Sequence, residues 1–163
     1  MNIEDIKNKM NFLVTIMRLG HEAFTRNDLK SLSLFIVNNT RQIFPYTRSC
    51  LVDFRKGRPR VFSVMGQYVL DPDSQYSLEV ENLLKPFQHI SQATLVTEES
   101  LDKLKALDKP RHALAYFKKN SQDSILLIPL EHPQDKSKPP IFIWMIEFPA
   151  SEEKLTPSLV LIS

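Results

Sequence analysis

Two short apolar runs near the C-terminus constrain the fold of this chain more than any other feature. They are Ser124–Leu130 (SILLIPL) and Ile141–Phe148 (IFIWMIEF), and a polar segment with three prolines separates them. Runs of this length, rich in Ile, Phe or Trp and bounded by turn formers, are typical of strands. Neither run alternates strictly between polar and apolar residues, which indicates that both faces are covered. The sequence therefore predicts an antiparallel hairpin at the centre of a sheet, with helices on one side and other material on the other.

Length and composition favour one soluble domain. The 163 residues are 42% apolar and 25% charged, which is ordinary for a globular protein with a real core. A net charge of +2, with Lys and Arg spread along the chain, gives no argument for nucleic acid. No segment has the roughly 20 apolar residues of a membrane helix, and the N-terminus does not resemble a signal peptide. One cysteine excludes an internal disulfide framework and fits a cytoplasmic location, although export of a cysteine-poor protein stays open.

The N-terminal region predicts two helices. Apolar residues at spacings of three and four predict an amphipathic helix that ends at Gly20; they are Ile3, Ile6, Met10, Leu13 and Met17. A second helix is predicted from Asn27 or Asp28, both good N-cap residues, to a point before Pro45. We expect one of these helices to pack on the sheet and Ile3–Met17 to contact a partner chain.

The middle of the chain predicts alternating short elements, and the whole order indicates an α+β fold with a central, mostly antiparallel sheet flanked by helices. The predicted elements are a hairpin of Ser49–Arg55 and Arg60–Gly66, a helix at Leu78–Leu84, a strand at Ala93–Thr97, helices at Glu99–Leu107 and Pro110–Lys119, the two apolar strands, and a final helix beginning at Thr156-Pro157. Because this final helix has little more than one turn, we expect the chain to be a fragment of a longer protein.

This order resembles a GAF domain, the sensory module of the PAS/GAF superfamily. The matching parts are the helix Leu29–Phe44, the strand beginning Arg48-Ser49-Cys50-Leu51-Val52, the strand-like Thr94-Leu95-Val96, the apolar-Pro-Leu step of Ser124–Leu130, and Ile141–Phe148 with Glu147. The resemblance covers roughly residues 22–163, which leaves residues 1–21 as a separate N-terminal amphipathic helix and a possible dimer contact. The signature of cyclic-nucleotide-binding members is absent, and Cys50 does not stand where bilin-attaching members carry their cysteine.

The resemblance implies a sensory or regulatory domain that binds a small molecule, or transmits a signal through helical dimerisation. A ligand would then lie between the sheet and the segment from Tyr68 to Asn120, where apolar walls and a few polar groups suit a small-molecule site. The candidate ligand-binding residues are Tyr68, Phe87, Arg111, His112, Tyr116 and Trp144. The identity of the ligand or cofactor stays open, and the same aromatic residues are more often plain core. We expect a homodimer, contacts with other domains of the full-length protein, and no direct contact with nucleic acid.

The remaining chemical motifs favour a domain that is not an enzyme. Nothing in the chain supplies a nucleophile with a base, a carboxylate pair or zinc-ligand spacing, so no catalytic or metal site is predicted. Cys50 is interpreted as a small core residue, with a reactive thiol beside Arg48 as the alternative. The basic turn residues are interpreted as a solvated surface, with an anionic partner as the alternative; they are Arg55, Lys56, Arg58 and Arg60. The alternative function is a scaffold domain of a signalling or membrane-transport-associated protein that binds no ligand.

Overall fold

The computed structural model describes residues 2–43, 45–97, 100, 115–117, 119, 122–130 and 139–149. Its helices include α1 (Ile3–Phe24), α2 (Leu29–Asn39) and α3 (Gln75–Leu84), and short 3-10 turns follow at Thr40–Gln42 and Lys85–Phe87. The strands of its sheet are β1 (Arg48–Asp53), β2 (Arg60–Val64), β3 (Thr94–Thr97), β4 (Gln122–Leu130) and β5 (Phe142–Pro149). Residues 115–117 and 119 are also helical.

The sheet has the strand order β2-β1-β5-β4-β3, and every neighbouring pair is antiparallel. Strands β4 and β5 pair from Ser124 with Phe148 to Leu130 with Phe142, so the two apolar runs form the predicted pair of adjacent strands. Strand β5 is central and β4 is its neighbour, which explains why both runs are apolar without strict alternation. The predicted α+β fold with a central antiparallel sheet is confirmed.

Helices cover both faces of this sheet. Alternate residues of β5 point in opposite directions: Ile143 and Met145 join the core beneath α3, and Phe142 and Ile146 lie on the α2 side. On the α2 side, Val37 packs with Leu51 and Phe142. On the α3 side, the core contains buried side chains from the helix, the turn after it and the strands, among them Val80, Leu83, Leu84, Phe87, Ile125 and Leu127.

Helix α1 is longer than the sequence predicted. Asn2 and Asp5 form a capping box at its start, and the helix continues through Gly20 to Phe24, where Thr25 caps its end. The prediction that Gly20 ends the helix is therefore wrong. Arg18 and Glu22 form an i,i+4 ion pair that spans the glycine, and the buried Leu19 anchors this turn. Contacts of this kind offset the roughly 1 kcal/mol that an internal glycine costs a helix.

Helix α2 begins as the sequence predicts. The Asp28 carboxylate accepts a hydrogen bond from the Ser31 backbone N–H at 2.8 Å, which caps the helix. The helix and its 3-10 extension end at Gln42, before Pro45. The predicted final helix lies outside the described residues. Of the two helices predicted over 99–119, only residues 100, 115–117 and 119 are described. Within the part of the chain that the structure describes, no helix is long and apolar enough to span a membrane.

Candidate functional site

A buried carboxylate on the central strand is the most unusual chemical feature of the domain. Glu147 of β5 has no exposed surface, and its cross-strand neighbours are Arg48 on β1 and Ile125 on β4. A polar group removed from water costs free energy unless it is hydrogen-bonded, and a charge costs much more. The hydrogen-bond partners of Glu147 therefore determine how much free energy its burial costs.

Two tyrosine hydroxyls provide these partners. The hydroxyl of Tyr76 donates to Oε1 of Glu147 at 2.9 Å, and the hydroxyl of Tyr116 donates to the same oxygen at 2.8 Å. The second carboxyl oxygen, Oε2, is buried and has no hydrogen-bond partner among the residues that the structure describes. The carboxyl group is thus satisfied on one oxygen and unsatisfied on the other.

Local capping positions Tyr76 over the sheet. Ser74 is the N-cap of α3, because its hydroxyl accepts from the Ser77 backbone N–H at 3.2 Å. The Ser77 hydroxyl donates to the backbone oxygen of Asp71 at 3.0 Å, which ties the preceding loop to the helix. These bonds fix the start of α3, and Tyr76 is the second residue of that helix. Its hydroxyl reaches β5 from there.

Strand β1 adds Arg48 and Cys50 to the same face. The Arg48 guanidinium lies 4.7 Å from the centre of the Tyr76 ring, a cation–π contact that turns it toward the ring. Arg48 forms none of the ion pairs found among the described residues, so it does not neutralise Glu147 directly. We call Arg48, Cys50, Tyr76, Tyr116 and Glu147 the Glu147 cluster.

Burial controls the ionisation of this cluster. It raises the pKa of Glu147, and the opposing effects of the Tyr116 and Tyr76 hydrogen bonds and of the Arg48 charge do not compensate. Burial also raises the pKa of both tyrosines. It raises the pKa of the Cys50 thiol to about 12, with Glu147 acting in the same direction. Because Cys50 is fully buried, the interpretation of it as a core residue is confirmed. Its raised pKa disfavours a reactive thiolate.

The structure brings together two of the six predicted ligand-binding residues. Phe87 and Tyr116 share the buried core between α3 and the sheet. Trp144 lies on the opposite, α2 face, where its indole N–H donates to the Ser49 hydroxyl at 2.7 Å. Tyr68 is 82% exposed in the loop after β2. Arg111 and His112 lie outside the described residues, and ligand binding by any of the six stays a prediction.

The basic turn between β1 and β2 is partly neutralised by neighbouring acids. Arg55 pairs with Asp53 at 2.7 Å and Arg60 pairs with Glu81 at 3.0 Å. Two of the four cations are thus engaged within the domain, which favours the interpretation of an ordinary surface. Among the described residues, no group of three or more His, Cys, Asp or Glu side chains is placed to hold a metal ion.

Sequence reasoning missed most of the Glu147 cluster as a site, although one signal pointed to it. Glu147 is the only charged residue in the run Ile141–Phe148. An acid in a central strand with both faces covered must be buried and must have partners. Arg48 and Cys50 were predicted to share a face of β1. Tyr76 gave no local signal, because it lies 71 residues from Glu147 in the sequence.

No protein-family model matches this sequence, and no curated protein matches it. The fold is similar to several solved structures. The GAF domain of nlh2 from A. aeolicus in an inactive state superposes with a TM-score of 0.57 at 7% identity, covering 88% of this chain and 83% of that one. A phycoerythrobilin-bound GAF domain of a cyanobacterial phytochrome gives 0.56 at 11% identity, with 94% and 89% covered. Residues 122 to 287 of a methyl-accepting chemotaxis protein give 0.57 at 10% identity, with 90% of each chain covered.

The chain is therefore a GAF-fold domain. This confirms the resemblance drawn from the order of its strands and from the Ser124–Leu130 run. At these identities the likeness concerns the fold, and the chemistry of the site has to be argued from the residues of this chain.

Replacing Tyr116 with Phe tests the hydrogen bonds of the Glu147 cluster. The substitution keeps the ring in the core but removes one of the two donors to Oε1, so we expect a loss of about 1–2 kcal/mol in the free energy of unfolding. Urea denaturation of the two proteins measures this loss. The matched control is Tyr68→Phe, whose hydroxyl belongs to an exposed side chain and whose effect should stay within about 0.5 kcal/mol. Equal effects of the two substitutions would contradict the assignment.

Proposed function

We propose that this chain is a sensory or regulatory domain that signals through a homodimer formed by α1. The GAF fold supports a regulatory role, because the solved structures similar to it include domains of a chemotaxis protein and a phytochrome. The observation that carries the proposal is the exposed apolar seam along α1. Its residues are Ile3, Ile6, Met10, Leu13 and Met17.

The seam has the spacing of a coiled coil. Its residues alternate at intervals of three and four along a continuous 22-residue helix, and Phe24 continues the same register beyond Gly20. All of these side chains are exposed, from 43% at Ile6 to 92% at Phe24. A repeat of 3.5 residues is the pattern by which helices pair in coiled coils, and Phe12, Val14 and Ile16 are further exposed apolar residues of α1 outside this seam. A second copy of the chain offers the same seam, so a twofold dimer buries both.

The packing connects this helix to the Glu147 cluster. The buried Leu19 of α1 and the few contacts between α1 and α2 join the two helices, and Val37 of α2 packs on Leu51 of β1. Cys50 directly precedes Leu51 in β1, so its side chain points to the opposite face of the sheet, where it belongs to the core beneath α3. A change in the packing of α3 thus reaches α1 through one strand and one helix. A signal of this kind requires that a ligand binds one arrangement better than the other.

Charge placed on the seam tests the dimer. Leu13→Glu puts a carboxylate in the centre of the proposed interface, where burial without a partner is costly, so the variant should be monomeric. Sedimentation equilibrium should give twice the molar mass of one chain for the unmodified protein and the mass of one chain for the variant. Asn8→Glu is the matched control on the exposed opposite side of the same helix, and it should remain dimeric. A protein that stays monomeric at high concentration contradicts the proposal.

A small ligand at the α3 face is the second part of the proposal, with Phe87 and Tyr116 in contact with it. The alternative function is a scaffold domain that binds no ligand, and a specific observation favours it. Phe87, Tyr116 and Met145 are each at most 4% exposed and belong to the core between α3 and the sheet, so protein side chains already occupy this region. In either case we place the domain in the cytoplasm as a non-enzymatic part of a larger protein.

A thermal-shift screen distinguishes the ligand-binding domain from the scaffold. Nucleotides, tetrapyrroles and amino acids are the probes, each at a concentration well above micromolar. A ligand at 100 times its Kd stabilises the folded state by about 2.7 kcal/mol, which raises Tm by several degrees for a domain of this size. Stabilisation that is lost in Phe87→Ala supports the ligand site. An unchanged Tm with every probe supports the scaffold.

A further inference from the structure

The unpaired oxygen of Glu147 carries an inference that is independent of the dimer and of any small ligand. We propose that Glu147 is a proton-binding site: it is held as a neutral carboxylic acid in the closed domain, and its ionisation loosens the packing of α3 on the sheet. The site would make the domain responsive to pH.

Among the described residues around Glu147, few groups are placed to stabilise a negative charge. From β1, Arg48 and Cys50 face it, but the Arg48 guanidinium is turned to the Tyr76 ring and the Cys50 thiol is fully buried. From α3 and the helical residues 115–117, Tyr76 and Tyr116 both donate to Oε1. From β4, the cross-strand neighbour is the apolar Ile125. None of these groups donates a hydrogen bond to Oε2.

A second acidic residue in the same domain provides the contrast. Glu81 of α3 is also buried, but both of its oxygens have partners: Oε1 accepts from the Val61 backbone N–H at 3.2 Å, and Oε2 accepts from the Arg60 guanidinium at 3.0 Å. Within the described part of the chain, Glu81 is thus bonded to a cation and an amide, whereas Oε2 of Glu147 has no donor. The missing donor at Oε2 favours a neutral carboxyl group at Glu147.

The direction of the effect follows from proton linkage. Burial raises the pKa of Glu147 above the ordinary glutamate value of 4.5, so the folded state binds more protons than the unfolded state between these two values. The contribution of Glu147 to stability is fully present below 4.5 and is lost as the pH rises through the raised pKa. Because Tyr76 joins α3 to Glu147, the loss should appear first in the packing of α3.

Unfolding measurements across pH test the proposal. The wild-type protein is denatured with urea at intervals from pH 5 to pH 9, and Glu147→Gln, which mimics the neutral acid, is measured in parallel. We expect the stability of the wild type to decrease with rising pH relative to that of Glu147→Gln. Glu79→Gln removes a more exposed carboxylate of α3 and should keep the wild-type decrease, because Glu147 is intact. Parallel pH profiles of the wild type and Glu147→Gln overturn the proposal.

Two spectroscopic measurements keep the test decisive if Glu147→Gln does not fold. The side-chain carboxyl carbon of Glu147 in the wild type, observed by NMR, should titrate with a midpoint above 4.5, and a midpoint at or below that value overturns the proposal. Hydrogen-exchange protection factors report the loosening itself. Those of the α3 amides should decrease as the pH rises, whereas those of β5 should not. Uniform protection at all pH values contradicts the link to α3.

Discussion

The fold depends on how a carboxylate is accommodated in the centre of its sheet. Glu147 lies on the middle strand, where both faces are covered, so it is shielded from bulk solvent and depends on the hydrogen bonds that neighbouring side chains provide. Its partners come from segments far apart in the sequence, because Tyr76 belongs to α3 and Tyr116 to a helical segment 40 residues later. These two hydroxyls fasten the helical side of the domain to β5. A hydrophobic residue at this position would fill the same space without linking the two layers.

The same constraint relates the two proposals. The α3 face carries the Glu147 cluster and the α2 face carries the route to α1, with only the sheet between them. Close-packed layers have few intermediate arrangements, so a change on one face is passed to the other as a shift of whole elements. If the proposed dimer forms, the exposed seam of α1 is the surface on which a change at the α3 face would act, whether a proton or a small molecule causes it. Because the side chains beneath α3 are buried, a proton, the smallest ligand, is the occupant that requires the least rearrangement.

Local sequence signals predicted much of the fold. The two apolar runs were recognisable as β4 and β5 because short strands with both faces covered are almost entirely apolar. Asp28 was recognisable as the N-cap of α2 because its side chain can accept from a backbone N–H of the first turn. The predicted end of α1 at Gly20 was wrong because the low helix propensity of glycine is outweighed by the Arg18–Glu22 ion pair and the burial of Leu19. The site was harder to predict: Trp144 is aromatic and near the expected pocket, yet the alternation of β5 places it on the other face. The contacts of Glu147 with Tyr76 and Tyr116 depend on register and helix placement, which no local pattern contains.

A double-mutant cycle between Tyr116 and Glu147 tests most directly whether the carboxyl group joins the two layers. The cycle compares the unfolding free energies of the wild type, Tyr116→Phe, Glu147→Met and the double variant, all measured at one pH. If the hydrogen bond is formed as described, the double variant loses less stability than the sum of the single losses, with a coupling energy of about 0.5–3 kcal/mol. Losses that add within about 0.3 kcal/mol would show that the two side chains do not interact, and the account would be wrong.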